Sequence, residues 1–205
     1  MIDIKFTPEK NGILVDEGNT FDVLFRASST ENDSTKKTQR LPLNLSIVID
    51  RSGSMQGQPL DEAKKCASML VDRMGEKDRL SIVMYGADAE VLVPSQPVTD
   101  KRKFKSQIDA IYASGMTALY DGWSLGAEEV AKNSHSNSIS RVLLLSDGQA
   151  NRGLVDEDVI ATHCQKMAEI GVSTSTYGLS GYFNENLMVG MASAGQGQAH
   201  YGQTA

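Results

Sequence analysis

Asp50, Ser52 and Ser54 stand two residues apart at the end of the apolar run Leu45-Ser46-Ile47-Val48-Ile49. A short β-branched run bounded by glycine and polar residues reads as a buried strand, so its carboxyl end delivers these three side chains into a loop. Open α/β sheets place ligands at that edge. One carboxylate and two hydroxyls, with no His or Cys among them, form a hard oxygen set suited to Mg2+ or Mn2+ rather than zinc. A second apolar run, Val142-Leu143-Leu144-Leu145, closes on Ser146-Asp147-Gly148, and the loop Gly115-Met116-Thr117 carries a hydroxyl just before a helical pattern. The candidate ligands are therefore Asp50, Ser52, Ser54, Thr117 and Asp147. Two carboxylates roughly balance a divalent charge, and neutral hydroxyls leave the ion electrophilic, with a position open to an incoming oxygen.

The elements that must place these oxygens follow from periodicity. From about residue 43 the chain alternates strand and helix patterns, the mark of a mostly parallel sheet covered on both faces. The first helix opens with Pro59, Asp61 and Glu62 in its first turn, and Leu60, Ala63, Ala67, Leu70, Val71 and Met74 form its buried stripe. Strands are expected at 79–85, 90–93, 141–146, 172–178 and 199–201, the second as a short hairpin partner of the first. Helices are expected at 101–111, 118–132, 156–170, where Gly171 supplies the C-cap, and 184–194. The first forty residues differ: 21–27 alternates like a half-buried strand, and 28–40 is a polar run that reads as an exposed loop. The expected organisation is an N-terminal β-strand extension with a polar loop over 1–40 and one α/β domain over 41–205.

The Asp50-Arg51-Ser52-Gly53-Ser54 loop, the Thr117 loop and Ser146-Asp147-Gly148 resemble, in this order, the von Willebrand factor A (vWA) family, and bacterial vWA domain-containing proteins among them. That family's metal-ion-dependent adhesion site is an Asp-x-Ser-x-Ser loop, a Thr loop and an Asp closing a later strand, and all five positions are matched. The resemblance implies a Rossmann-like, doubly wound, mostly parallel sheet flanked by helices, with extra N-terminal β-strands. It implies a divalent cation, Mg2+ first with Mn2+ or Ca2+ as alternatives, and a partner protein whose Asp or Glu supplies the last ligand. The expected function is thus metal-dependent adhesion or assembly, not catalysis. Rim residues that would choose the partner are Arg51, Met55, Gln56, Met116, Tyr120, Gln149, Asn151 and Arg152, and the two arginines could steer an acidic partner. The resemblance also suggests a β-sandwich or sheet extension for the N-terminal strands. A peripheral hairpin fits the residues equally.

Competing chemistries are weaker. Gly122-Trp123-Ser124-Leu125-Gly126 fits a nucleophile elbow, with Asp147 and His163 or His200 following in hydrolase order. An elbow needs a strand before its serine, whereas Leu119, Gly122, Trp123 and Gly126 continue one helical face. The small residues there suit close helix packing. Metal-assisted hydrolysis lacks a general base in the motifs, and a purely structural ion remains an alternative. His135, His163 and His200 are scattered without ligand spacing. No phosphate-binding glycine loop is present, and a net charge of −6 without a basic stripe argues against nucleic acid. No apolar stretch is long enough to span a membrane, and the N-terminus lacks the pattern of a signal peptide. Together with Cys66 and Cys164, expected as free thiols, this favours a cytoplasmic setting. Oligomeric state is not encoded in any readable pattern.

Overall fold

Strand β3 (Leu43–Asp50) explains the architecture. Its apolar side chains alternate between two separate cores: Ile47 and Ile49 enter one, Val48 the other, and all three are fully buried. Only a strand covered on both faces gives that pattern. The computed structural model describes residues 2–8, 23–29, 40–134, 137–181 and 183–202, which cluster into two compact units, Met1–Arg40 and Leu41–Ala205.

In the larger unit, β4 (Arg79–Tyr85), β5 (Ala89–Pro97), β6 (Ile139–Ser146), β7 (Val172–Gly178) and β8 (Ala199–Tyr201) join β3 in one sheet of order β5-β4-β3-β6-β7-β8. All neighbours are parallel except β4 and β5. Helices α1 (Gln58–Arg73) and α2 (Lys101–Asp109) fill the first core with Leu60, Ala63, Ala67, Val71, Phe104 and Ile108. Helices α3 (Leu119–Ala131), α4 (Glu157–Glu169) and α5 (Glu185–Ala194) fill the second with Leu119, Trp123, Val130, Ile160, Leu187 and Met191, among others. This is the mostly parallel sheet covered on both faces that the strand and helix alternation leads one to expect.

Local chemistry sets the helix starts. The side chain of Asp100 accepts from the amides of Arg102 and Lys103 ahead of α2, that of Asp156 from Val159 ahead of α4, and that of Asn184 from Leu187 ahead of α5. Gly171 follows α4 at φ 86°, the left-handed conformation a C-cap glycine supplies. Helix α3 lies unusually close to the sheet. A Cβ on Gly126 would sit 2.4 Å from Val48 Cγ2, and one on Gly122 would sit 2.4 Å from Tyr85 Cδ1. Two hydrogen bonds latch it there: Trp123 Nε1 donates to Thr174 Oγ1 at 3.0 Å, and Asn44 Nδ2 to the Val130 carbonyl at 2.8 Å.

Strand β5 is longer than the expected 90–93. It runs antiparallel along the sheet edge with irregular register and contains Pro94 and Pro97, which an edge tolerates because one side of the ladder is unpaired. Cys66 is half-buried and Cys164 buried, both as free thiols. No helix among the described residues is long and apolar enough to cross a membrane.

In the smaller unit, β1 (Ile2–Pro8) pairs antiparallel with β2 (Val23–Ser29), with the Phe6 and Phe25 rings 5.3 Å apart. The strand expected at 21–27 is shifted toward the C-terminus, so Ser28 and Ser29 belong to it rather than to the polar loop. Positions 21, 22 and 30–39, like His135, lie outside the described residues.

Candidate metal centre

Three loops meet at the carboxyl edge of β3 and β6, and backbone hydrogen bonds fasten them. The Gly53 amide donates to the Gly115 carbonyl at 3.0 Å, and the Ser114 amide to the Arg51 carbonyl at 2.6 Å, joining the first loop to the Thr117 loop. Asn151 then clasps the third loop to the second. Its amide donates to the Thr117 carbonyl at 3.2 Å, while its Oδ1 accepts from the Thr117 amide at 2.9 Å.

Asp50 sits at the bottom of this arrangement, wholly buried. Its Oδ1 accepts from the Ser52 amide at 2.8 Å, and its Oδ2 from Ser146 Oγ at 2.6 Å and Tyr85 Oη at 3.2 Å. Burial pushes this carboxyl up to about 6, against the opposing pull of the Ser146 and Ser52 bonds, and the Asp147 charge nearby raises it further. Asp147 is also buried, its Oδ1 accepting from the Gln149 amide at 3.1 Å. No ion pair reaches either carboxylate among the described residues. Ser52 Oγ and Ser54 Oγ lie 3.1 Å apart, Ser52 and Thr117 are buried, and Ser54 is exposed at the mouth.

This donor set fits a hard divalent cation. Two buried carboxylates, near enough that the Asp147 charge raises the Asp50 carboxyl and joined by no ion pair among the described residues, leave negative charge that neutral donors only partly offset. The neighbouring oxygens are hydroxyls, and no three His, Cys, Asp or Glu side chains cluster as metal ligands among the described residues, so the set is not one that selects zinc.

The rim divides. Gln56, Met116, Gln149, Asn151 and Arg152 are exposed, and Arg51 is half-buried with its guanidinium carbon 5.6 Å from the centre of the Tyr112 ring. Met55 is a correction. The 3-10 turn Gly53–Met55 folds its side chain beneath the loop, where it is fully buried in the first core. Tyr120 is a second. It is half-buried at the start of α3, with its ring 5.9 Å from Trp123 and 5.4 Å from His163, so it contacts the groove between α3 and α4. Arg152 pairs with Asp88 at 3.0 Å. Sequence reasoning missed three residues. Tyr85 and Ser146 both bond Asp50, and strand register could have found Tyr85, since it lies directly opposite Asp50 on β4. Tyr112 stands in an irregular loop that carried no signal.

Ser124 lies within helix α3, not after a strand, in a groove of about 260 Å³ lined by Tyr120, Trp123, Ala127, His163 and Met167, among others. The nucleophile elbow is therefore not formed. Asp147 instead belongs to the sheet-edge cluster, and His200 is exposed on β8.

A model of the von Willebrand factor type A domain matches residues 44–204. The chain is 34% identical over 167 residues to the uncharacterized protein sll0103 of Synechocystis sp., a match covering 80% of this chain and 38% of that protein. It spans well under half the length of the curated relatives it matches first. Among solved structures, a von Willebrand factor type A protein from Catenulispora acidiphila superposes with a TM-score of 0.72 at 17% identity, over 98% of this chain and 46% of that one. The manganese-loaded TRAP protein of Plasmodium vivax superposes with a TM-score of 0.60 at 18% identity, over 74% of this chain and 63% of that one. At these identities the structural likenesses establish the fold.

Proposed function

This chain belongs to the von Willebrand factor type A domain family, and from that premise we propose that it is a protein-binding module whose partner docks through a divalent cation. Domains of this family mediate protein–protein interactions. The cation, Mg2+ first with Mn2+ or Ca2+ as alternatives, is held by Asp50, Ser52, Ser54, Thr117 and Asp147, and a partner's Asp or Glu completes its coordination. The observation that carries this reading is the fully buried Asp50 carboxylate, held by neutral donors alone beside Asp147 and the paired Ser52 and Ser54 hydroxyls. A buried charge pair of one sign is unfavourable unless a counter-charge joins it. The manganese in the TRAP structure of the same fold supports a divalent ion here. The work of the site is recognition. A carboxylate is a strong ligand for an ion whose other donors are mostly neutral hydroxyls.

Asp50→Ala tests this directly. It removes one of the two charged ligands, and Mn2+ binding followed by electron paramagnetic resonance should fall by at least a hundredfold while the circular dichroism spectrum stays native. Capture of the partner from an extract should drop to the level reached with EDTA, and EDTA should have no further effect on the variant. A folded Asp50→Ala protein that still captures its partner as the native protein does would remove the ion from recognition and leave it a structural role.

A further inference from the structure

Resting on that reading, we propose that Arg51 and Tyr112 form a second subsite beside the ion, selecting a partner segment whose metal-binding acid is followed by a second acidic side chain and a large apolar one. The two arginines near the loops differ in state. Arg152 is paired with Asp88 at 3.0 Å. Arg51 has no carboxylate partner among the described residues, and its Nε is buried without a hydrogen-bond partner. What holds its head is the Tyr112 ring, 5.6 Å from the guanidinium carbon. Stacking on a ring orients the planar fork without using the nitrogens that grip a carboxylate.

The root of this side chain is fixed. Arg51 stands between Asp50 and Ser52, its amide donates to the Tyr85 carbonyl at 2.8 Å, and its carbonyl accepts from Ser114 at 2.6 Å. The cation is therefore anchored within the metal loop itself. Tyr112 is 71% exposed and Met116 48% exposed, the two large apolar side chains of the second loop that face solvent. An aromatic ring against an unpaired guanidinium, with an exposed thioether in the same loop, suits an acidic residue with an apolar neighbour. The whole chain carries a net charge of −6, which would repel an acidic segment in the absence of a local cation.

The test uses two capped peptides, acetyl-Asp-Glu-Leu-amide and acetyl-Asp-Gln-Leu-amide, titrated into the Mn2+-loaded chain, with loading verified by electron paramagnetic resonance. The diacidic peptide should bind about tenfold more tightly, as expected for a hydrogen-bonded charge pair. Arg51→Gln should erase that preference with Mn2+ affinity unchanged, Arg51→Lys should restore only part of it because an ammonium lacks the fork, and Tyr112→Ala should weaken both peptides. Equal binding of the two peptides by the native chain, or a preference that survives Arg51→Gln, overturns the subsite and leaves the metal-mediated reading standing. Binding that EDTA does not change, or no binding of either peptide to the loaded chain, overturns the metal-mediated reading and the subsite with it.

Discussion

Asp50 answers to two opposed requirements. Folding takes it out of water, which favours the protonated acid more than the bonds from Ser146 and the Ser52 amide favour the ionised one, while a cation needs it ionised. Its carboxyl is raised from 3.8 to about 6 in the fold. A raised carboxyl binds more protons in the folded than in the unfolded chain, so its contribution to stability is fully present below about 4 and is lost as pH rises through 6. The difference corresponds to about 3 kcal/mol. The metal-free protein should accordingly lose denaturant resistance between pH 4 and 7. Asp50→Asn should flatten that decline and raise the unfolding midpoint at pH 7. Mn2+ affinity should run the other way, falling about tenfold per pH unit below 6 as one proton competes with the ion. A metal-free stability that climbs over this window would show that the carboxyl is not raised. At this scale the sequence was informative where oxygens recur at fixed spacing, as at Asp50, Ser52 and Ser54. It was silent about Met55, whose thioether looks like a rim contact until the 3-10 turn buries it.

At the scale of elements, α3 is the piece whose packing touches the site. Gly122 and Gly126 are one helical turn apart, yet their neighbours differ: Tyr85, which bonds Asp50, and Val48, which does not. Both replacements by alanine gain up to about 1 kcal/mol in helix propensity and meet a contact of 2.4 Å in a packed core, where overpacking costs about 1–3 kcal/mol. Each should lower the thermal midpoint by a few degrees. Only Gly122→Ala should also weaken Mn2+ binding, because the displaced Tyr85 ring carries its hydroxyl away from the Asp50 carboxylate. Equal loss of Mn2+ affinity in both variants would place the effect in the helix as a whole. Helix and strand periodicity made α1, α3 and the buried strands legible, with ends within one or two residues. Strand β5 was legible only in part. Its half-exposed side chains and prolines look like loop, and the pairing that makes it a strand comes from β4, far from any local pattern.

For the whole molecule, the decisive fact is where the apolar clusters lie. Both cores of the larger unit are built from residues 43–194, one on each face of the sheet, and neither draws on the metal ligands themselves. The strand and helix alternation announced this double winding from the sequence. By contrast β1 and β2 form a two-stranded ribbon whose Ile4, Phe6, Val23, Leu24 and Phe25 are 48–65% exposed. Two strands alone bury too little to be independently stable, and alternation within a ribbon cannot reveal what covers it. A chain of residues 41–205 alone should therefore fold in one cooperative transition with Mn2+ absent, as the clusters require. Adding Mn2+ to a hundred times its dissociation constant should stabilise it by about 2.7 kcal/mol, a rise of roughly 5–10 °C in the midpoint for a domain of this size. Calorimetry reads both quantities in one series. A metal-free chain that lacks a cooperative transition and gains one only with Mn2+ would mean the ion helps build the domain. A native transition unmoved by Mn2+ would mean that the buried aspartates hold no ion.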